Sequence, residues 1–71
     1  MGKNHQKLNN CLEELRRKAG LTQQELSEKA EVSRKSINAL ENGIYVPSLV
    51  LALKIANTLK CKVDDLFELP D

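Results

Sequence analysis

This 71-residue chain predicts an all-α domain, five helices packed as a compact bundle, on the strength of three features. With one Tyr, one Phe and no Trp, the core must be aliphatic, which favours packed helices over aromatic-rich strands. Apolar residues also recur at helical spacing along most of the chain. Between Leu21 and Gly43, finally, two helix starts and one helix stop stand close together. Thr22 with Glu25 reads as a capping box, Ser33 as a second N-cap, and Asn42-Gly43 as the stop. Two short helices joined by a tight turn, the second with a polar outer face, form a helix-turn-helix. A chain this short is one domain with a small core.

Taken in order, residues 1–7 are polar and aperiodic, and a flexible segment over 1–8 is expected ahead of a domain over 9–69. Asn9 or Asn10 caps the first helix, whose apolar stripe is Cys11, Leu12, Leu15 and Ala19. Glu13 and Glu14 near its start and Arg16, Arg17 and Lys18 near its end suit the helix dipole. Gly20 stops it. The second helix runs from Gln23 to about Ala30, with Leu26 and Ala30 inward and a small Ser27 that lets the next helix come close. Glu31-Val32 is the turn. The third helix runs from Arg34 to about Asn42 on Ile37 and Leu40. After Pro47, Ser48 caps a fourth helix from Leu49 to Leu59, apolar enough to be the buried centre of the bundle. A short fifth helix from Val63 to Phe67 starts with Asp64 and Asp65, where carboxylates are favoured. Residues 70–71 are a tail, and no strand is expected.

Composition narrows the function classes. The N-terminus is polar, with no signal peptide, and no stretch is long enough to span a bilayer, so a cytoplasmic protein without membrane contact is expected. Cys11 and Cys61 make neither a disulfide framework nor a zinc site; both read as reduced thiols, Cys61 as a small core residue. The only His is His5, no Ser or Cys has an evident base, and no Gly-rich phosphate loop is present. An enzyme is therefore the weakest class, and no cofactor, metal or small-molecule ligand is expected. The net charge of +1 hides a segregation. Residues 1–62 carry all 11 Lys and Arg against 6 acids, a net +5, whereas 63–71 carry 4 acids and no base. A basic body can present a positive face to a polyanion despite the acidic end.

On a helical wheel the third helix divides. Ile37, Leu40 and Glu41 share one side; Lys35, Asn38, Ala39 and Asn42 share the other, with Arg34 and Ser36 flanking the first turn. Laid in a major groove, its N-terminal half offers Arg34 and Lys35 to guanine acceptors and Asn38 to the adenine edge. Gln23, opening the second helix, can meet a phosphate. A merely solvated polar face is the alternative for this segment taken alone.

The segments G-L-T-Q-Q-E-L, V-S-R-K-S-I, L-E-N-G, Y-V-P-S-L and A-L-K-I-A together resemble the Cro/cI-type (XRE-family) helix-turn-helix regulators, over roughly residues 9–69. The resemblance implies a five-helix, lambda-repressor-like DNA-binding domain, a repressor that binds a palindromic operator as a homodimer. It implies a phosphate contact from Gln23 and base or backbone contacts from Arg34, Lys35, Ser36 and Asn38; Arg34, Lys35 and Asn38 are expected at the bases, and Gln23, Ser33, Ser36, Asn42 and Tyr45 at the backbone. It also implies that Arg16 pairs with Glu41, which explains an acid on the inner side of the third helix. Several positions depart from the family pattern. Glu31 stands where Gly is frequent, at a cost of about 1–2 kcal/mol if left-handed. Ser27 replaces a frequent Ala. Ile44 replaces a frequent base and removes one phosphate contact. Lys62 replaces a cap, costing about 0.5–2 kcal/mol.

Double-stranded DNA is thus the expected partner, with a second copy of the chain. The dimer surface is expected on the fifth helix and the end of the fourth, through Phe67 and Leu69, with Leu66 closing the core. The competing class is a protein-interaction module, an antitoxin or adaptor on the same fold, favoured by the acidic end and modest net charge.

Overall fold

The computed structural model describes residues 8–70; the expectations for residues 1–7 and for Asp71 lie outside them. Five helices follow one another, α1 (Leu12–Lys18), α2 (Gln23–Ala30), α3 (Arg34–Glu41), α4 (Leu49–Leu59) and α5 (Val63–Leu66). Two short strands flank them, β1 (Asn9–Asn10) and β2 (Phe67–Glu68). They pair antiparallel, Asn9 with Glu68 and Asn10 with Phe67. The all-α expectation is corrected to that extent. Two residues per strand are too few for an alternating pattern; the ladder comes from closure of the fold, where the Cys11 amide donates to the Leu66 carbonyl at 2.8 Å.

Local chemistry explains the helix ends. Thr22 and Glu25 form the reciprocal box: the Glu25 amide donates to Thr22 Oγ1 at 3.0 Å and the Thr22 amide to Glu25 Oε1 at 2.8 Å. Ser33 Oγ accepts the Ser36 amide and Ser48 Oγ the Leu51 amide, at 3.0 and 3.1 Å. Each satisfies a donor that the first helical turn leaves free. At α5, Lys62 has no oxygen to offer, and only the return half exists, Asp65 Oδ2 accepting the Lys62 amide at 3.0 Å. Cys11 is corrected out of the first helical stripe, since it is exposed and precedes α1. Asn10 caps the helix instead, its Oδ1 accepting the Leu12 amide at 3.1 Å.

Each of the four longer helices closes on a left-handed residue, at Gly20, Glu31, Gly43 and Lys60. The residue after each donates back five positions: Leu21 to Arg16, Val32 to Ser27, Ile44 to Ala39, Cys61 to Ala56. This Schellman closure suits glycine. Glu31, at φ 60°, carries a Cβ into that conformation. Glu31→Gly is therefore expected to stabilise the domain by about 0.5–1 kcal/mol. Relief of left-handed strain outweighs the extra freedom glycine gives the unfolded chain. Urea titration followed by circular dichroism measures it, and a loss of stability would overturn the strain argument.

The core joins Leu12 of α1, Leu26 and Ala30 of α2, Ile37 and Leu40 of α3, Ala52, Ile55 and Ala56 of α4, and Leu66 with Phe67. The expectation for α4 is corrected: it is not buried all round. It buries only the Ala52–Ile55–Ala56 side, while Leu49, Val50 and Leu53 are 70, 63 and 45 % exposed. A chain this small has too few other helices to cover a second flank. Ser27 is buried and places its hydroxyl on the Gln24 carbonyl at 2.7 Å.

Candidate nucleic-acid interface

The outer face of α3 is built by what holds its inner face. Glu41 lies at the inner end of α3 with its side chain 4 % exposed, and Arg16 reaches it from α1. Arg16 Nε donates to Glu41 Oε2 at 2.6 Å and the second guanidinium nitrogen donates to Oε1 at 3.1 Å. The remaining nitrogen donates to the Leu21 carbonyl at 2.8 Å, where α1 gives way to α2. The Glu41 hydrogen bond holds the Arg16 pKa above its ordinary value, against the opposing effect of burial. Arg16 is thus a permanent cation, and its planar fork matches the carboxylate.

Gln23, the first residue of α2, continues the chain of bonds outward. Its Nε2 donates to Glu41 Oε1 at 2.9 Å, while its Oε1 accepts from Asn38 Nδ2 at 3.3 Å. Asn38 Oδ1 in turn accepts from Asn42 Nδ2 at 3.0 Å. A single polar path therefore runs from α1 through α3 and α2 to the exposed Asn38. A carboxamide has two N–H donors and two acceptor lone pairs. Asn38 commits one of each to Gln23 and Asn42. One donor and one acceptor remain, the set that an adenine edge takes up in the major groove.

Arg34 and Lys35 flank Asn38; the three line one open depression on the exposed side of α3. Lys35 also belongs to the neighbouring depression, with Ser33, Ser36, Ala39 and Tyr45. The first turn of α3 has no acid, so two cations stand where the helix dipole disfavours them, at about 0.3–1 kcal/mol each. Among the described residues neither makes a salt bridge. The Ser33 and Ser36 hydroxyls lie 2.9 Å apart at the same end.

The structure thus brings Arg34, Lys35, Asn38, Gln23, Ser33, Ser36, Asn42 and Tyr45 onto α3 and its two margins. Two roles are altered. Gln23 commits one N–H to Glu41 and its oxygen to Asn38, so only its second N–H stays open to a phosphate. Phe67, expected to face a second copy, is corrected into the core at 9 % exposure, whereas Leu69 stays 75 % exposed. Sequence reasoning missed one part of the support. Asn10 Nδ2 donates to the Leu40 carbonyl at 2.8 Å, tying β1 to the last turn of α3. The cap role of an asparagine was legible, but its second bond crosses most of the domain.

No cluster of metal-ligating side chains occurs among the described residues, and no helix among them is long and apolar enough to cross a membrane. Burial, then Asp65, raises the Cys61 thiol pKa, the opposite of an activated thiolate.

The family model described as helix-turn-helix matches residues 12–66. A Bacillus subtilis protein named as an uncharacterized HTH-type transcriptional regulator, YgzD, is 42 % identical over 64 residues, 90 % of this chain and 97 % of its own. An Archaeoglobus fulgidus protein named as an uncharacterized HTH-type transcriptional regulator is 47 % identical over 60 residues, 84 % of this chain and 86 % of its own. Among solved structures, the restriction-modification controller protein C.AhdI from Aeromonas hydrophila superposes with a TM-score of 0.72 at 33 % identity, over 76 % of this chain and 82 % of that one.

Proposed function

The chain belongs to the XRE-type helix-turn-helix family, and from that premise we propose that it is a non-enzymatic, DNA-binding transcriptional regulator of the cytoplasm. It acts as a repressor, bound as a homodimer to a palindromic operator with α3 in the major groove. The observation that carries this is the outer face of α3: Arg34 and Lys35, without a salt bridge among the described residues, beside an Asn38 amide whose orientation Gln23 and Asn42 fix. Arg34, Lys35 and Asn38 meet base edges. Ser33, Ser36, Asn42 and Tyr45 meet the sugar-phosphate backbone, together with the one Gln23 N–H that the network leaves free. A palindrome follows from two-fold symmetry, with half-sites about 34 Å apart. A lone domain of this size makes few contacts, and doubling them brings an operator within reach of physiological concentrations.

Selection of bound duplexes from a random pool, followed by titration at several salt concentrations, tests the proposal. Binding to random DNA should weaken steeply with salt as counterions are released, and the selected sites should show inverted half-sites. Absence of DNA binding at low salt, with tight capture of a protein partner, would replace it with the interaction-module reading. Within a selected site, Asn38→Ala should cost about 1–3 kcal/mol and relax the preference at one base position. Unchanged base preference would remove Asn38 from the set.

A further inference from the structure

Apart from Leu69, the exposed large apolar residues fall within one stretch of the chain, Ile44 to Leu53. Leu49, Val50 and Leu53 lie within about a third of a turn of one another, on the flank of α4 beside its buried stripe. Ile44 and Val46, 77 and 51 % exposed, lead up to them along the loop from α3. No charged residue occurs from Asn42 to Leu53, in a chain of which 30 % is charged. Depletion of charge is what marks the core of an interface. The exposed apolar area of these residues is on the order of 500 Å², the size of the largest apolar patch on a monomer, which is often a functional surface.

We infer that Ile44, Val46, Leu49, Val50 and Leu53 form the contact between two copies of this chain. A two-fold contact places the same patch on both sides, so it must be complementary to itself. A neutral apolar patch meets its own copy without like charges facing each other. The other exposed large apolar residue of the C-terminal part, Leu69, lies close to Asp64, Asp65 and Glu68 in the chain. A two-fold axis there brings the carboxylates of both copies together. Doubled by symmetry, the stripe supplies about 1,000 Å², the least that a specific interface should clear. Position also favours a second copy. The stripe begins three residues beyond the end of α3, so an axis through it sets both α3 helices beside it. Their Glu41 ends lie near the axis and their Arg34 ends away from it. This rests on the homodimer reading above and moves its surface from α5 and the end of α4 to the start of α4 and the loop before it.

Sedimentation equilibrium of the whole chain tests the contact, with Leu49→Glu and Val50→Glu against Leu69→Glu as control. All three side chains are at least 63 % exposed, and circular dichroism checks that each variant is folded; Leu49→Ser serves if a charged variant is not. The wild-type mass should reach twice the 8.0 kDa of one chain. Leu49→Glu and Val50→Glu should each raise the dissociation constant by roughly a hundredfold or more, and Leu69→Glu should leave it nearly unchanged. A wild-type protein that stays monomeric overturns the contact, as does dissociation by Leu69→Glu alone. So does a complex with a different protein formed through Leu49. A monomer with salt-sensitive DNA binding overturns this inference and spares the regulator reading. A dimer broken by Leu49→Glu in a protein without DNA binding does the reverse.

Discussion

Glu41→Ala is expected to destabilise the domain by about 3–5 kcal/mol, because it strips a buried guanidinium of its partner. The Arg16 and Glu41 side chains are 9 and 4 % exposed, so water does not replace the lost carboxylate. Domains of this length are stable by roughly 4–10 kcal/mol in total, and the variant should unfold near room temperature in mild urea. The contrast that isolates the mechanism is the double replacement Arg16→Met with Glu41→Leu. Removing both charges should recover most of the stability, since a buried pair gains little over apolar residues of similar volume. If Glu41→Ala costs less than about 1 kcal/mol, the pair is effectively solvated and the network does not hold α3. The double variant also separates fold from function. It keeps helicity but leaves Gln23 without its anchor on Glu41, so Asn38 should lose orientation and base preference should relax.

Replacing both Arg34 and Lys35 by Ala is expected to weaken binding to a selected operator by about 2–5 kcal/mol, with each single replacement costing about 1–3 kcal/mol. The fold should not suffer. Both residues are exposed on the first turn of α3, and removal of two cations from a helix N-terminus relieves an unfavourable dipole interaction. The variant should therefore melt at the same temperature or slightly higher while losing DNA. Fluorescence anisotropy with the selected duplex, beside a thermal melt of the free protein, gives both numbers. Unchanged operator affinity in the double variant would show that the outer face of α3 is not the recognition surface.

How much of this was legible depended on where a residue's partner lies. The caps at Thr22, Ser33 and Ser48 act within three residues, and their spacing showed in the chain. The division of α3 into two sides was equally visible, because polar and apolar residues alternate on it with the helical period. The strands were hidden, because pairing Asn10 with Phe67 needs the whole fold to bring them together. The outward flank of α4 was hidden for another reason. A helix that is apolar nearly all round carries no contrast from which a buried side can be told. The link from Gln23 to Asn38 was invisible because residue type does not disclose which way a carboxamide turns. Glu31 stands between these cases. Its place in the turn raised the left-handed conformation as a cost, and the Schellman closure shows why the chain accepts it.

The small ladder also says something about the order in which the domain assembles. It joins the two ends of the folded region, so its formation closes a loop that contains every helix. Closure entropy grows with the logarithm of loop length, about 0.6 kcal/mol for each doubling, and a ladder of two residue pairs repays little of it. The helices are then expected to dock first and β1 to arrive last, carrying Asn10 to the Leu40 carbonyl. In the reverse direction the same strand is the first part to leave. Amide exchange at Cys11, whose proton is held by Leu66, should therefore run ahead of exchange at Ile55, as a partial opening that loosens the end of α3 while the core stays shut.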